Sequence, residues 1–191
     1  MSEKYKIFDS DWIYFVTITT VRWIDVFTRP IYRDIIIDSL NFCIRTKGLR
    51  IHGWVLMTNH LHMIIHSDDK PIEFIMRDFK RHTSKALYEC IKSNSMESRD
   101  WMSYLMDRAG KYNSMNNNHQ FWQNGYHPVH MCNEDLLLQR MNYVHLNPVR
   151  AGFVDFPHQW KYSSAQDYMG TKGLIELEPL YPISVGKGMI L

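Results

Sequence analysis

Two histidines one residue apart, His60 and His62, head the apolar run Leu61-His62-Met63-Ile64-Ile65. In an extended strand, residues i and i+2 project from the same face roughly 7 Å apart, so the two imidazoles can aim at one point. Neutral imidazole is the commonest protein metal ligand. Two rings alone hold a divalent ion weakly, and two histidines at a strand start need no metal at all. A third ligand is therefore the deciding feature. Far along the chain, Tyr143 and Asn147 are spaced i and i+4, stacked on one helical face, with Gln139 a turn earlier. A phenol and a carboxamide oxygen on that stripe could reach a metal held by the histidines. Taken alone, the plainer reading of this segment is a half-buried tyrosine and an asparagine near a helix end before Pro148.

The elements that must position these side chains follow from pattern. Ile13 to Thr20 is β-branched and aromatic and reads as a strand. Thr28-Arg29-Pro30 opens a helix that Lys47-Gly48 closes, with Gly48 suited to a left-handed cap. Leu49 to Met57 and His60 to His66 form a hairpin across Thr58-Asn59. A second helix starts at Lys70-Pro71, with Ile72, Ile75, Phe79, Thr83, Leu87 and Cys90 in one stripe. Residues 93–118 read as a polar loop or insertion with a short helix around Trp101 to Met106. Short strands at Phe121-Trp122 and Val129-His130-Met131 precede a helix capped by Asn133 and expected to end at Asn147-Pro148. The order β-α-β-β-α-β-α predicts an α+β sandwich of the ferredoxin-like or RRM-like class, an antiparallel sheet with helices packed mainly on one face. One domain over residues 1–170 and a C-terminal tail over 171–191 are expected.

Composition narrows the setting. The 191 residues are 45% hydrophobic and carry a formal net charge of only +2, so a core is affordable and a nucleic-acid partner must be argued from local charge. Cys43, Cys90 and Cys132 are scattered and odd in number, which suggests neither a disulfide framework nor a cysteine zinc site. Neither an apolar leader nor an apolar run of membrane-spanning length is present. A cytoplasmic protein with reduced thiols, not attached to a membrane, is the expectation.

Several segments together resemble the single-tyrosine HUH transposases, and most closely their REP-associated tyrosine transposase branch. They are Tyr14-Phe15-Val16-Thr17, Met57-Thr58-Asn59-His60-Leu61-His62, Phe79-Lys80-Arg81-His82-Thr83-Ser84, Phe121-Trp122-Gln123, Tyr143 to Gly152, and Trp160-Lys161-Tyr162-Ser163-Ser164-Ala165. They lie in order over roughly residues 12 to 168. The resemblance implies a transposase that nicks and rejoins single-stranded or hairpin-bearing, REP-like DNA. It implies that His60, His62 and Asn147 hold Mg²⁺ or Mn²⁺, a Lewis acid for the scissile phosphate and the departing 3′ oxygen. Tyr143 is then the nucleophile, leaving a 5′-phosphotyrosine and a free 3′-OH. Relatives often carry Gln in place of Asn147, a longer side chain. They include both dimers and monomers, so a monomer or a homodimer is compatible.

A basic row on the second helix, Arg77, Arg81 and Lys85 with Lys80 adjacent, can track phosphates, and Arg150 lies beside the tyrosine segment. Such rows are more often solvated helix faces, and the resemblance is what favours DNA. Trp101, Tyr104, Tyr112, Phe121, Trp122 and Tyr126 offer faces for unpaired bases, with Phe121 and Trp122 equally suited to a core. Two other classes compete: a non-catalytic, domesticated nucleic-acid-binding protein on the same scaffold, and a metal hydrolase in which the histidine pair activates water.

Overall fold

The computed structural model describes residues 7, 9–113 and 118–180. It contains four strands, β1 (Tyr14–Thr19), β2 (Leu49–Leu56), β3 (His60–Ser67) and β4 (Val129–His130). The helices are α1 (Pro30–Lys47), α2 (Ile72–Ser93), α3 (Trp101–Lys111), α4 (Glu134–Arg150) and the short α5 (Ala165–Tyr168), with 3₁₀ turns at Val21–Trp23 and Pro157–Gln159. The strands form one sheet in the order β2-β3-β1-β4, antiparallel at every junction. The protein is thus the expected α+β sandwich, in the ferredoxin-like strand order.

Alternation divides the sheet into two faces. Tyr14, Val16 and Ile18 of β1 and Leu61, Met63 and Ile65 of β3 share a core with α1 and α2. Phe15, Val55 and Ile64 point the other way and pack against Met141 and Val144 of α4. Two helices cover one face, and the tyrosine helix crosses the opposite one. Burying Met141 and Val144 contributes roughly 1.5–3 kcal/mol each, which anchors α4.

Local chemistry explains the element ends. Pro30 starts α1 where its missing N–H is no loss. Gly48 ends it at φ 70°, and a Cβ there would lie 2.7 Å from that of Asp69. Asn133 caps α4 by accepting a hydrogen bond from Leu136 N at 2.8 Å, with Glu134 and Asp135 in the first turn. The register of β2 shifts between Ile51 and Gly53, so that Ile51 and Trp54 both reach the α1 side.

Three expectations change in detail. The helix carrying Tyr143 continues past Pro148 to Arg150. Its last turn is closed by Ala151 N donating to Asn147 O and Phe153 N to Pro148 O. A proline forfeits one bond near a helix end, where little depends on it. The polar stretch after α2 is more ordered than a loop: α3 runs to Lys111 and buries Met102 and Met106. Asn116 and Asn117 lie outside the described residues, as does Met1 to Lys6. Part of the expected tail also packs on the sheet. Glu178 N donates to Ile51 O, and Ile175 is buried.

Candidate active site

His60 and His62 occupy the β3 face that looks toward α4. Thr17 on β1 is the cross-strand partner of His62, and its hydroxyl lies 2.7 Å from His62 Nδ1. That contact fixes the ring and turns Nε2 outward. His60 is held in the same way: Asn59 Nδ2 donates to Trp23 O and Asp25 Oδ1, which aims Asn59 Oδ1 at His60 Nδ1, 2.7 Å away. The carboxamide oxygen accepts, so Nδ1 of His60 carries the proton and Nε2 bears the lone pair. The two ring centres are 4.6 Å apart.

Tyr143 and Asn147 come down on this pair from α4. The Tyr143 hydroxyl is 3.4 Å from His62 Nε2, and Asn147 hydrogen-bonds His60 through its side chain. The four residues thus converge within a single chain. Gly53 permits the approach, because β2 has no side chain where Met141 lies against it. Phe15 stacks on His62 with ring centres 5.3 Å apart and meets the Tyr143 ring edge-on.

The electrostatics suit a cation site. Burial, then repulsion from His60 and Arg140, pushes the His62 pKa down to about 3. Burial also lowers His60, against the opposing hydrogen bond with the Asn147 side chain and the charge of Asp25. Both rings are therefore neutral near pH 7, the form that offers a lone pair to a metal. Two arginines flank the phenol: the guanidinium of Arg140 lies 5.1 Å from the Phe15 ring and 6.0 Å from that of Tyr143, and Arg150 lies 5.9 Å from Tyr143. The half turn of α4 beyond Pro148 is what brings Arg150 there.

Arg140 escaped the sequence reading, although its position three residues before Tyr143 on one helix was the available signal. Its Nε is buried without a hydrogen-bond partner among the described residues.

The basic row on α2 lies elsewhere. α2 packs on the sheet face opposite α4, so Arg77, Arg81 and Lys85 are not brought to Tyr143. Arg77 and Arg81 pair with Asp78, and Lys85 approaches Glu89 at 3.9 Å. Lys80 departs from the expectation of a solvent-facing cation. Its ammonium turns inward and donates to Gln123 O at 2.7 Å and Gly125 O at 2.6 Å, and burial holds its pKa down to about 8. Phe121 and Trp122 are core, whereas Trp101, Tyr104 and Tyr112 are exposed. His145 is also core: its Nε2 bonds Ser164 Oγ at 2.9 Å.

Among the described residues, one further group has the donors for a cation. His66, Asp68 and Glu178 bring ligand atoms within 4.8 Å of one another. It sits at the other end of β3, and Arg50 already pairs with both carboxylates.

No family model and no curated protein matches this chain. A solved structure does. The chain is similar to a REP-associated tyrosine transposase bound to a REP hairpin, with a TM-score of 0.60 and 18% identity, each chain covered over 100% of its length. At that identity the likeness is one of fold, extending over the whole chain. No helix among the described residues is long and apolar enough to cross a membrane.

Proposed function

We propose that the protein is a single-tyrosine DNA strand transferase, a cytoplasmic transposase that cuts and rejoins single-stranded or hairpin-bearing DNA. The observation that carries the reading is the approach of Tyr143 Oη to His62 Nε2 at 3.4 Å, on elements 81 residues apart in sequence. Neither packing nor capping requires a phenol, two anchored imidazoles and a carboxamide to meet at one point.

The donor set fits a divalent ion. Each histidine is anchored through Nδ1, as second-shell partners of metal-bound histidines usually do. His60, His62 and Asn147 would hold the ion. Two imidazoles and a carboxamide suit Mn²⁺ better than Mg²⁺ on ligand softness. When bound, the ion supplies Lewis-acid polarisation of the scissile phosphate and stabilises charge on the departing oxygen.

The chain's own residues do the rest. Tyr143 Oη gives up its proton and forms a bond to phosphorus as the P–O3′ bond breaks, so the 5′-phosphate remains on the enzyme and the departing 3′ oxygen takes up a proton in exchange. The phosphotyrosine keeps the phosphodiester energy for resealing by another 3′-OH. Arg140 and Arg150 offer positive charge to the phosphate beside the phenol. Because tyrosine and histidines belong to one chain, a monomer suffices for the chemistry.

The test is incubation with hairpin-bearing single-stranded DNA and Mn²⁺, followed by denaturing electrophoresis. A covalent protein–DNA adduct is expected, dependent on metal and abolished in Tyr143→Phe. An adduct undiminished in that variant refutes the assignment. Tight DNA binding with no adduct on any suitable substrate identifies a non-catalytic binding protein instead.

A further inference from the structure

Trp23 is 59% exposed. An exposed tryptophan is not unusual by itself. Its backbone is. Among the described non-glycine residues, only Arg22, Trp23 and His127 have positive φ, and Arg22 (54°) and Trp23 (57°) are consecutive. The left-handed region is disfavoured for any residue with a Cβ, and a glycine or asparagine would sit there more easily. Strain of this kind persists only where surrounding structure enforces it. Here the enforcement is visible. Asn59 Nδ2 donates to Trp23 O, Thr58 Oγ1 to Asp25 Oδ1, Thr20 N to Asn59 O and Phe27 N to Thr58 O. Asn59 is also the residue that anchors His60. The network that orients a proposed metal ligand therefore also holds the indole out in solvent. The indole and the His60 ring are roughly perpendicular with centres 6.2 Å apart, so the exposed indole stands within a nucleotide's length of the site.

We propose that Trp23 is a stacking seat for one unpaired base next to the scissile phosphate. The inference rests on the strand-transferase reading and adds a residue that positions the substrate. Any base has a π-face, so the seat selects for single-stranded DNA rather than for sequence. It places the flanking nucleotide so that its phosphate falls between His60, His62 and Tyr143.

The experiment is a cycle between Trp23 and the base it would hold. Single abasic sites are scanned through the unpaired nucleotides of a hairpin-bearing oligonucleotide. Binding and adduct formation are measured for the wild type, Trp23→Ala, Trp23→Phe and Trp23→Gly. Trp23→Ala should weaken binding of intact DNA roughly 5- to 150-fold, the range of one base stacked on one aromatic ring. An abasic site at one position should weaken the wild type similarly and leave Trp23→Ala unaffected. Trp23→Phe should keep most of the affinity, and the loss should appear in KM more than in kcat. Trp23→Gly should bind as poorly as Trp23→Ala yet melt no lower than the wild type, because glycine relieves the backbone. Unchanged binding by Trp23→Ala, or equal losses for wild type and variant at every abasic position, overturns the seat. A wild-type adduct with no Trp23 effect refutes the seat alone. Wild-type binding without an adduct refutes the transferase chemistry alone, and the binding cycle still decides the seat.

Discussion

Replacing Gly53 by alanine tests whether the seating of α4 on β2 sets the distance between Tyr143 and the histidines. A Cβ at this position would lie 2.5 Å from Met141 Sδ and 2.9 Å from Met141 Cε, against ordinary carbon contacts of about 3.5–4.0 Å. Met141 is fully buried, so its thioether must retreat by about 1 Å into a packed cluster or carry α4 with it. Overpacking of this kind costs about 1–3 kcal/mol. Removing a glycine returns about 0.4–1 kcal/mol through the unfolded chain. The balance, about 1–2 kcal/mol destabilising, lowers Tm by about 2–8 °C in a domain of this size. Met141 precedes Tyr143 by half a turn, so a displaced helix lengthens the 3.4 Å approach to His62. A misplacement of about 1 Å costs on the order of 100-fold in rate, so adduct formation measured well below Tm should fall about 10- to 100-fold. Met141→Ala alone should cost about 2–5 kcal/mol by leaving a cavity. The alanine at 53 fills part of that cavity, and the double variant should exceed the additive expectation by about 0.5–3 kcal/mol. A Gly53→Ala protein that melts and reacts like the wild type, or a strictly additive double variant, refutes the reasoning.

Three further expectations follow from other contacts. Thr17→Val removes the hydroxyl anchoring His62 without changing side-chain shape, and should lower Mn²⁺ affinity about 10- to 100-fold by calorimetric titration. Unchanged affinity would show that the anchor is dispensable. Glu97 is buried, pairs with Arg99 and Arg29 and accepts a hydrogen bond from Tyr32, and the Arg99 bond leads in holding its carboxyl down to about 2. Because that pKa is depressed, the stabilisation is complete above the unfolded value near pH 4.5 and is lost as pH falls toward 2. Denaturant titrations should show wild type losing about 2–3 kcal/mol more than Glu97→Gln across that window; parallel curves contradict the assignment. Lys80→Met removes the ammonium that ties down Gln123 and Gly125 and should cost about 1.5–3 kcal/mol of stability. DNA affinity should stay unchanged, whereas Arg150→Gln should weaken DNA binding, and the reverse pattern in gel-shift assays would restore Lys80 as a phosphate contact.

What was legible in the sequence had a short-range signature. His60 and His62 share a face because strands alternate, and Tyr143 and Asn147 share one because helices repeat near every fourth residue. Asn133 and Gly48 carry their capping roles in their chemistry. What was hidden depended on where an element packs. An amphipathic helix presents the same stripe to either sheet face, so neither the placement of α4 opposite α1 and α2 nor the separation of the α2 cations from Tyr143 could be read from spacing. Lys80 sits in a row of cations, and only the loop at 123–125 folding back over it reveals that it faces inward. Pro148 looks like a terminator, and the helix passes through it. The left-handed pair Arg22-Trp23 has no compositional mark, because its cause is the distant Thr58-Asn59 turn.

The distance in sequence between the histidine strand and the tyrosine helix has a consequence for the protein's synthesis. His60 and His62 leave the ribosome long before Tyr143, and domains are built from the N-terminus onward. A growing or prematurely terminated chain that ends before α4 carries His60 and His62 but not Tyr143. It also exposes Phe15, Val55 and Ile64, the sheet face that α4 should cover. Were the protein the strand transferase proposed above, such a fragment would lack its nucleophile and leave an apolar sheet face uncovered. On the proposed reading, the site is therefore complete only once α4 has docked, as a property of late folding and not of the strands made first.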